Sequence, residues 1–385
     1  MLHCSNFRRT RTFLPSKSVQ PAAPKINTND GAVGKGQFMT FHDASFHSSP
    51  CCFEEDLQPK YAPAAQATSS TRRVSLALQG GGALGAFTWG VLDRLLEENT
   101  SFDAVSGASA GAMNAVLLAS GLARGGVDEA RACLERFWRK VSEAGSRSRI
   151  LLSNPLLTAV ATQLSPYQFN PLDLNPLRAI LAEEVDIEAV RARAPLRLLL
   201  GATRVRDGEL RIFRNEELTH DVVLASACLP HLHQAVLIDD EPHWDGGYVA
   251  NPPLLPLVTA TETSELLVVQ IIPANGAERP RTSPQIDKRL NQITFSSSLQ
   301  RELEAVSMMR RLARESEGGN SELGNKLSSL RLHRLVAEEH VDDLSDLGLQ
   351  DTDWSVLRRL RDRGRGAADA WLASQSEEQS AEGGH

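Results

Sequence analysis

Residues 74–87, VSLALQGGGALGAF, constrain the fold more than any other stretch of the chain. An apolar run stops on three glycines. After Leu84 a fourth glycine opens a helical pattern with Phe87, Val91, Leu92, Leu95 and Leu96 on one face. A buried strand, a bare turn and a helix are the opening unit of an α/β fold, and the pattern then repeats. FDAVSG (102–107) reads as a second strand, GAMNAVLLASGL (111–122) as a second helix and residues 127–141 as a third. A stretch rich in loops and prolines covers about 145–178, and a helix follows around 176–192. LRLLLGATRV (196–205) and GELRIFRN (208–215), joined by RDG, read as a strand pair, and ELLVVQII (265–272) as another core strand. Strands alternating with helices predict a three-layer α/β/α fold with a mainly parallel central sheet. Residues 284–316 and 356–374 add a C-terminal helical region, whose arginine-rich faces read as solvated surface.

The predicted organisation is a disordered leader (1–71), an α/β domain (72–275), a helical extension packed on it (276–375) and a disordered tail (376–385). The leader mixes Pro, Ser, Thr, Asn, Gly and His without periodicity. Its first 29 residues carry five basic and no acidic side chains. That composition resembles a transit peptide, the plainer alternatives being a disordered tail or an overextended start. No apolar segment of signal-peptide type is present and no stretch reaches the roughly 18 apolar residues of a membrane span, so a cytoplasmic location is expected. A net charge of −7 argues against nucleic acid as the main partner. The five cysteines have no framework spacing, and no cysteine or histidine pair has metal-ligand spacing.

A turn this rich in glycine at a strand-to-helix junction usually faces something negative. Gly80, Gly82 and Gly85 satisfy G-x-G-x-x-G, but a dinucleotide site also wants an acid at the carboxyl end of the next strand. Asp103 is the only candidate and stands at the wrong end. The right end carries GASAG (107–111), a G-x-S-x-G between strand and helix. In a nucleophile elbow the serine sits in a strained turn whose small neighbours let strand and helix pass closely. The helix N-terminus also aims free N–H groups at the reacting atoms. Ser109 is therefore the candidate nucleophile, and the glycine turn serves an oxyanion rather than a phosphate. Loss of one such donor costs roughly 3–4 kcal/mol of transition-state stabilisation in comparable sites.

The base is less plainly marked. HWDGGYVANPP (243–253) puts Asp245 before two glycines, after a run that reads as strand and turn. A histidine base would come after the acid, yet His333 and His340 lie in charged, surface-like sequence. His231 and His233 precede the acid in an expected strand and read as pocket lining or edge residues. Phe87, Trp89 and Trp138, at helical spacing, read as core rather than as an acyl pocket.

Taken in order, GGGALG, GASAG and DGG, with ASACLP (225–230) before the acid, resemble the patatin-like phospholipases. The resemblance covers about residues 73–275, and the wording GAFTWGVLDRLLEE resembles a bacterial subgroup. It implies a patatin-like catalytic domain and a lipase or phospholipase A-type esterase working through a Ser–Asp dyad and an acyl-enzyme. Ser109 would be the nucleophile, Asp245 the proton acceptor, and Gly80, Gly81 and Gly82 the oxyanion donors. No cofactor or metal is implied, and the partner is a lipid or acyl-ester substrate. Peripheral membrane contact and homo-oligomerisation are both compatible with it. Leu84 departs from the family pattern, standing where many members carry Lys or Arg, which puts headgroup preference in doubt. The competing reading is a non-catalytic or regulatory lipid-binding protein on the same fold.

Overall fold

A computed structural model describes residues 72–151, 164–274, 279–315, 321–344 and 346–382. The expected disordered leader (1–71) lies outside the described residues, as does the middle of the expected loop-rich stretch.

Strand β1 (Arg73–Leu78) leads through the glycine turn into helix α1 (Gly85–Glu97). Strand β2 (Ser101–Gly107) follows, then α2 (Ala110–Leu151), broken at Gly126 into the two helices the sequence predicts. After a single turn, α3 (Pro166–Phe169), come α4 (Pro176–Glu184) and α5 (Ile187–Arg193). These last two divide the single helix expected over 176–192, because the Asp186 side chain caps the Ala189 N–H and starts a new helix. Strands β3 (Arg197–Arg204) and β4 (Leu210–Phe213) form the expected antiparallel pair. Helix α6 (His220–Ala225), strands β5 (Val236–Ile238) and β6 (Glu241–Asp245), helix α7 (Leu254–Ala260) and β7 (Glu265–Gln270) complete the part read as the α/β domain.

The C-terminal region is not purely helical. Between α8 (Ser283–Glu315), α9 (Glu322–Ser329) and the last helix, α10 (Trp354–Glu382), Arg331–Val336 forms β8 and pairs in parallel with β7. The sheet therefore recruits a strand from beyond the expected domain boundary. The parallel core runs β3–β2–β1–β7–β8, with antiparallel β4, β5 and β6 at the β3 side. Helix α10 runs on to Glu382, past the expected start of a disordered tail at 376.

Both faces of the parallel strands are covered, which explains their continuous apolar runs. Leu76, Leu78, Leu267 and Val269 join one core with α1, α2 and α10, while Ala77, Leu266 and Val268 join the other with α7 and α8. The result is a mixed sheet between two helical layers, the α/β architecture the sequence predicts, with a C-terminal region that adds helices and one strand. Phe87, Trp89 and Trp138 are buried in the first core, as their spacing predicts. Two arginines expected at the surface of the last helix turn inward instead. Arg361 and Arg365, with Arg131 from α2, bind the Asp93 carboxylate on α1.

Candidate active site

Ser109 has φ +55°, a left-handed backbone that a side-chain-bearing residue adopts only under constraint. Several hydrogen bonds hold it there. Its N–H donates to the Ser226 carbonyl (2.9 Å), the Met113 N–H donates to its own carbonyl (3.0 Å), and the Gly111 N–H closes the turn onto Ala108 (2.9 Å). The side chain stands at the junction of β2 and α2 and keeps 9% exposure.

The position of Asp245 follows from strand register. β3 pairs with β2 over Arg197–Leu200, with Gly107 opposite Leu200, and with β6 over Ala202–Arg204, with Asp245 opposite Ala202. Strand β4 pairs with Leu200–Thr203 and so occupies the other edge. β2 and β6 thus share one edge of β3 and run head to head, meeting at their carboxyl ends. Ser226 ties the junction: its carbonyl also accepts the Gly246 N–H (3.2 Å), and its hydroxyl donates to the Gly201 carbonyl (2.6 Å). The Thr203 hydroxyl holds the Asp245 carbonyl at 2.7 Å.

The Asp245 side chain is fully buried. Oδ1 accepts the Gly247 N–H at 2.8 Å, whereas Oδ2 makes no hydrogen bond. Burial pushes the carboxyl up to about 7, opposed by the nearby Ser109 hydroxyl and the Gly247 N–H. Serine and acid are thus near enough to influence one another without a formed hydrogen bond between them.

The glycine turn packs directly on the elbow. A Cβ at Gly80 would come within 2.5 Å of both the Ala108 carbonyl oxygen and Ser109 Cβ, so no larger residue fits. The Gly80 N–H donates to Asn251 Oδ1 at 2.7 Å and is not free to face an oxyanion, which corrects the expectation for that residue. Asn251 also donates from Nδ2 to the carbonyls of Gly80 (3.1 Å) and Phe295 (2.8 Å). The N–H groups of Gly81 and Gly82 have no acceptor among the described residues. Ala110, first in α2, has no acceptor in its own helix. Gly82 itself has φ +55° and lies under Leu349, whose carbonyl accepts the Ala83 N–H at 2.7 Å.

Other sequence candidates fall elsewhere. His333, on β8, bonds Glu265 at 2.8 Å and meets the Trp371 ring edge-on. His340 lies beside the Phe87 ring. His231 and His233 sit in a turn before β5, not in a strand. Asp103 is bound by Arg73 and Arg197 at the amino end of the sheet, and Leu84 is buried in the core. Sequence reasoning missed Asn251, Ser226 as a tie, and Leu349.

Residues 76–258 match the family model of patatin-like phospholipases. Over that span, just under half of the chain, the sequence is similar to the patatin-like phospholipases. Ser109, Asp245 and the glycine turn all lie inside the matched span. No curated protein is a significant match to the chain. Among the matching solved structures, the crystal structure of VipD from Legionella pneumophila is 18% identical, with a TM-score of 0.41. That match covers 78% of this chain and 66% of the other, so this chain spans just under two thirds of it. A likeness so loose carries no argument about the chemistry of the patatin-like domain.

Proposed function

We propose that the patatin-like domain is a serine acyl hydrolase that cleaves acyl esters of lipids, with Ser109 as nucleophile and Asp245 as sole proton acceptor. The observation that carries this reading is a strained Ser109 beside a buried carboxyl whose Oδ2 makes no hydrogen bond. A carboxyl near 7 is about a thousandfold stronger as a base than one near 4, yet remains half ionised at neutral pH.

In the proposed reaction Ser109 Oγ attacks the ester carbonyl carbon while Asp245 Oδ2 takes the hydroxyl proton. The developing oxyanion accepts the free N–H groups of Gly81 and Gly82, joined by that of Ala110 at the helix N-terminus. Gly80, already bonded to Asn251, keeps the turn against the elbow. Collapse of the tetrahedral intermediate breaks the ester C–O bond, and Asp245 returns the proton to the departing alcohol. Water then attacks the acyl-serine, with Asp245 again as base. No metal or cofactor takes part in this scheme.

Hydrolysis of a soluble short-chain ester by wild type, Ser109→Ala and Asp245→Asn tests it, with folding checked by circular dichroism. Both variants are expected to lose about a hundredfold or more in kcat/KM. Retention of activity by Asp245→Asn would remove the aspartate from the proposal and leave the serine.

A further inference from the structure

Helix α8 carries two apolar stripes on opposite sides. From Phe295 onward it packs inward through Phe295, Leu299, Leu303 and Val306, all buried. Its first three turns do not pack: no residue from 279 to 294 is buried. Yet this part bears Ile286, Leu290 and Ile293, exposed by 43%, 56% and 46%. At about 100° per residue these three fall within about 60° of one another, roughly opposite the packed face. Single exposed aliphatic residues are ordinary. Three at i, i+4 and i+7 on the outer side of a projecting helix are a built stripe.

The charge around the stripe is basic. Residues 279–301 hold five basic side chains (Arg279, Arg281, Lys288, Arg289, Arg301) and one acid, Asp287, within a protein of net charge −7. Arg279, Arg281, Lys288 and Arg301 are exposed and make no ion pair with a described residue. Arg289 and Arg301 flank the stripe at about 60° to either side. An apolar strip bordered by cations is the pattern of a helix lying in a lipid interface.

The inner end of this segment is fastened to the candidate active site. The Phe295 carbonyl accepts from Asn251 Nδ2, the residue that holds Gly80. The Phe295 ring packs 4.9 Å from that of Tyr248 and against Gly247, beside Asp245.

We propose that residues 283–294 are a docking helix that lies on an anionic lipid surface through Ile286, Leu290 and Ile293, with the flanking Arg289 and Arg301 meeting the headgroups. The choice of partner rests on the acyl hydrolase reading, but binding is measured without catalysis. The full chain is sedimented with vesicles of phosphatidylcholine, with and without phosphatidylglycerol. Wild type is expected to partition about tenfold or more in favour of the anionic vesicles, and high salt should erase the preference. Ile286→Ser/Leu290→Ser/Ile293→Ser should lower partition about tenfold, and Arg289→Glu/Arg301→Glu should remove the anionic preference. Both variants should hydrolyse a soluble ester like wild type, which shows them folded. Vesicle binding unchanged by the triple substitution overturns the proposal. So does absence of binding with a concentration-dependent dimer that the same substitutions abolish, since a second copy would then be the occupant. Failure of ester hydrolysis by wild type, with vesicle binding intact, would sink the catalytic reading and leave the docking helix standing.

Discussion

Replacing Asp245 by Asn should stabilise this protein while abolishing its proposed activity, and the gain should depend on pH. The carboxyl is held at about 7 in the folded chain by burial, against an ordinary value near 4 once unfolded. Between those values the unfolded state has released its proton and the folded state has not. Stability therefore falls as pH rises, by about 1.4 kcal/mol per pH unit, and levels off above 7. The accumulated penalty is about 4 kcal/mol at pH 8 and about 0.5 kcal/mol at pH 4. Asparagine keeps an acceptor for the Gly247 N–H, which now bonds Oδ1 at 2.8 Å, and carries no charge to desolvate. With an unfolding entropy of about 2.1 cal/mol/K per residue over roughly 300 described residues, 4 kcal/mol corresponds to a rise of about 6 °C in Tm. Thermal unfolding of both proteins at pH 4 and pH 8 measures it. Equal Tm values at pH 8, or a gain that persists undiminished at pH 4, would refute the assignment of a charge-burial penalty to this residue.

The pH profile of kcat/KM on a soluble ester should rise through a single apparent pKa near 7 and then level; a midpoint near 4 would mean that the active carboxyl is not the buried one. Gly82→Ala forces a Cβ to within 2.2 Å of the Leu349 carbonyl oxygen at φ +55°, and is expected to cost about 2 kcal/mol or more in urea unfolding and about a hundredfold in kcat. Asn251→Ala strips the buried Gly80 N–H of its acceptor and removes one donor each from the Gly80 and Phe295 carbonyls, so Tm should drop by the equivalent of about 2–4 kcal/mol and kcat should fall while ester KM changes less. His333→Gln should leave hydrolysis within about twofold of wild type, because its ring bonds Glu265 on another part of the sheet.

The chain from β1 to the elbow was legible because each step is local. VSLAL can only be a buried strand, the glycines can only turn, and GASAG carries its small residues in the turn itself. The run before Asp245 was legible only as a strand and a turn; the structure makes it the β5–β6 hairpin, turning at Asp239 and Asp240, both at positive φ. β8 was not legible, because RLHRLV at the sheet edge is only partly buried and its arginines and histidine hide the strand pattern. The fate of the Gly80 N–H was equally out of sight, since its acceptor lies 171 residues downstream in a loop with no motif of its own. The inward turn of Arg361 and Arg365 depended on one buried carboxylate, Asp93, on a helix far away in sequence.

The head-to-head meeting of β2 and β6 makes β3 a ruler. Gly107 and Asp245 are referenced to Leu200 and Ala202 of the same strand, so their spacing is set by two steps of one backbone. Chain inserted between α2 and β3, or between β4 and β6, lengthens the path from Ser109 to Asp245 without altering the gap between them. Lineages with this architecture are therefore free to rebuild those connections, and with them the substrate's surroundings, while the proton's route stays the same length. The converse holds for β3 itself: a slip of one residue there would separate the two groups however well the rest of the molecule folded.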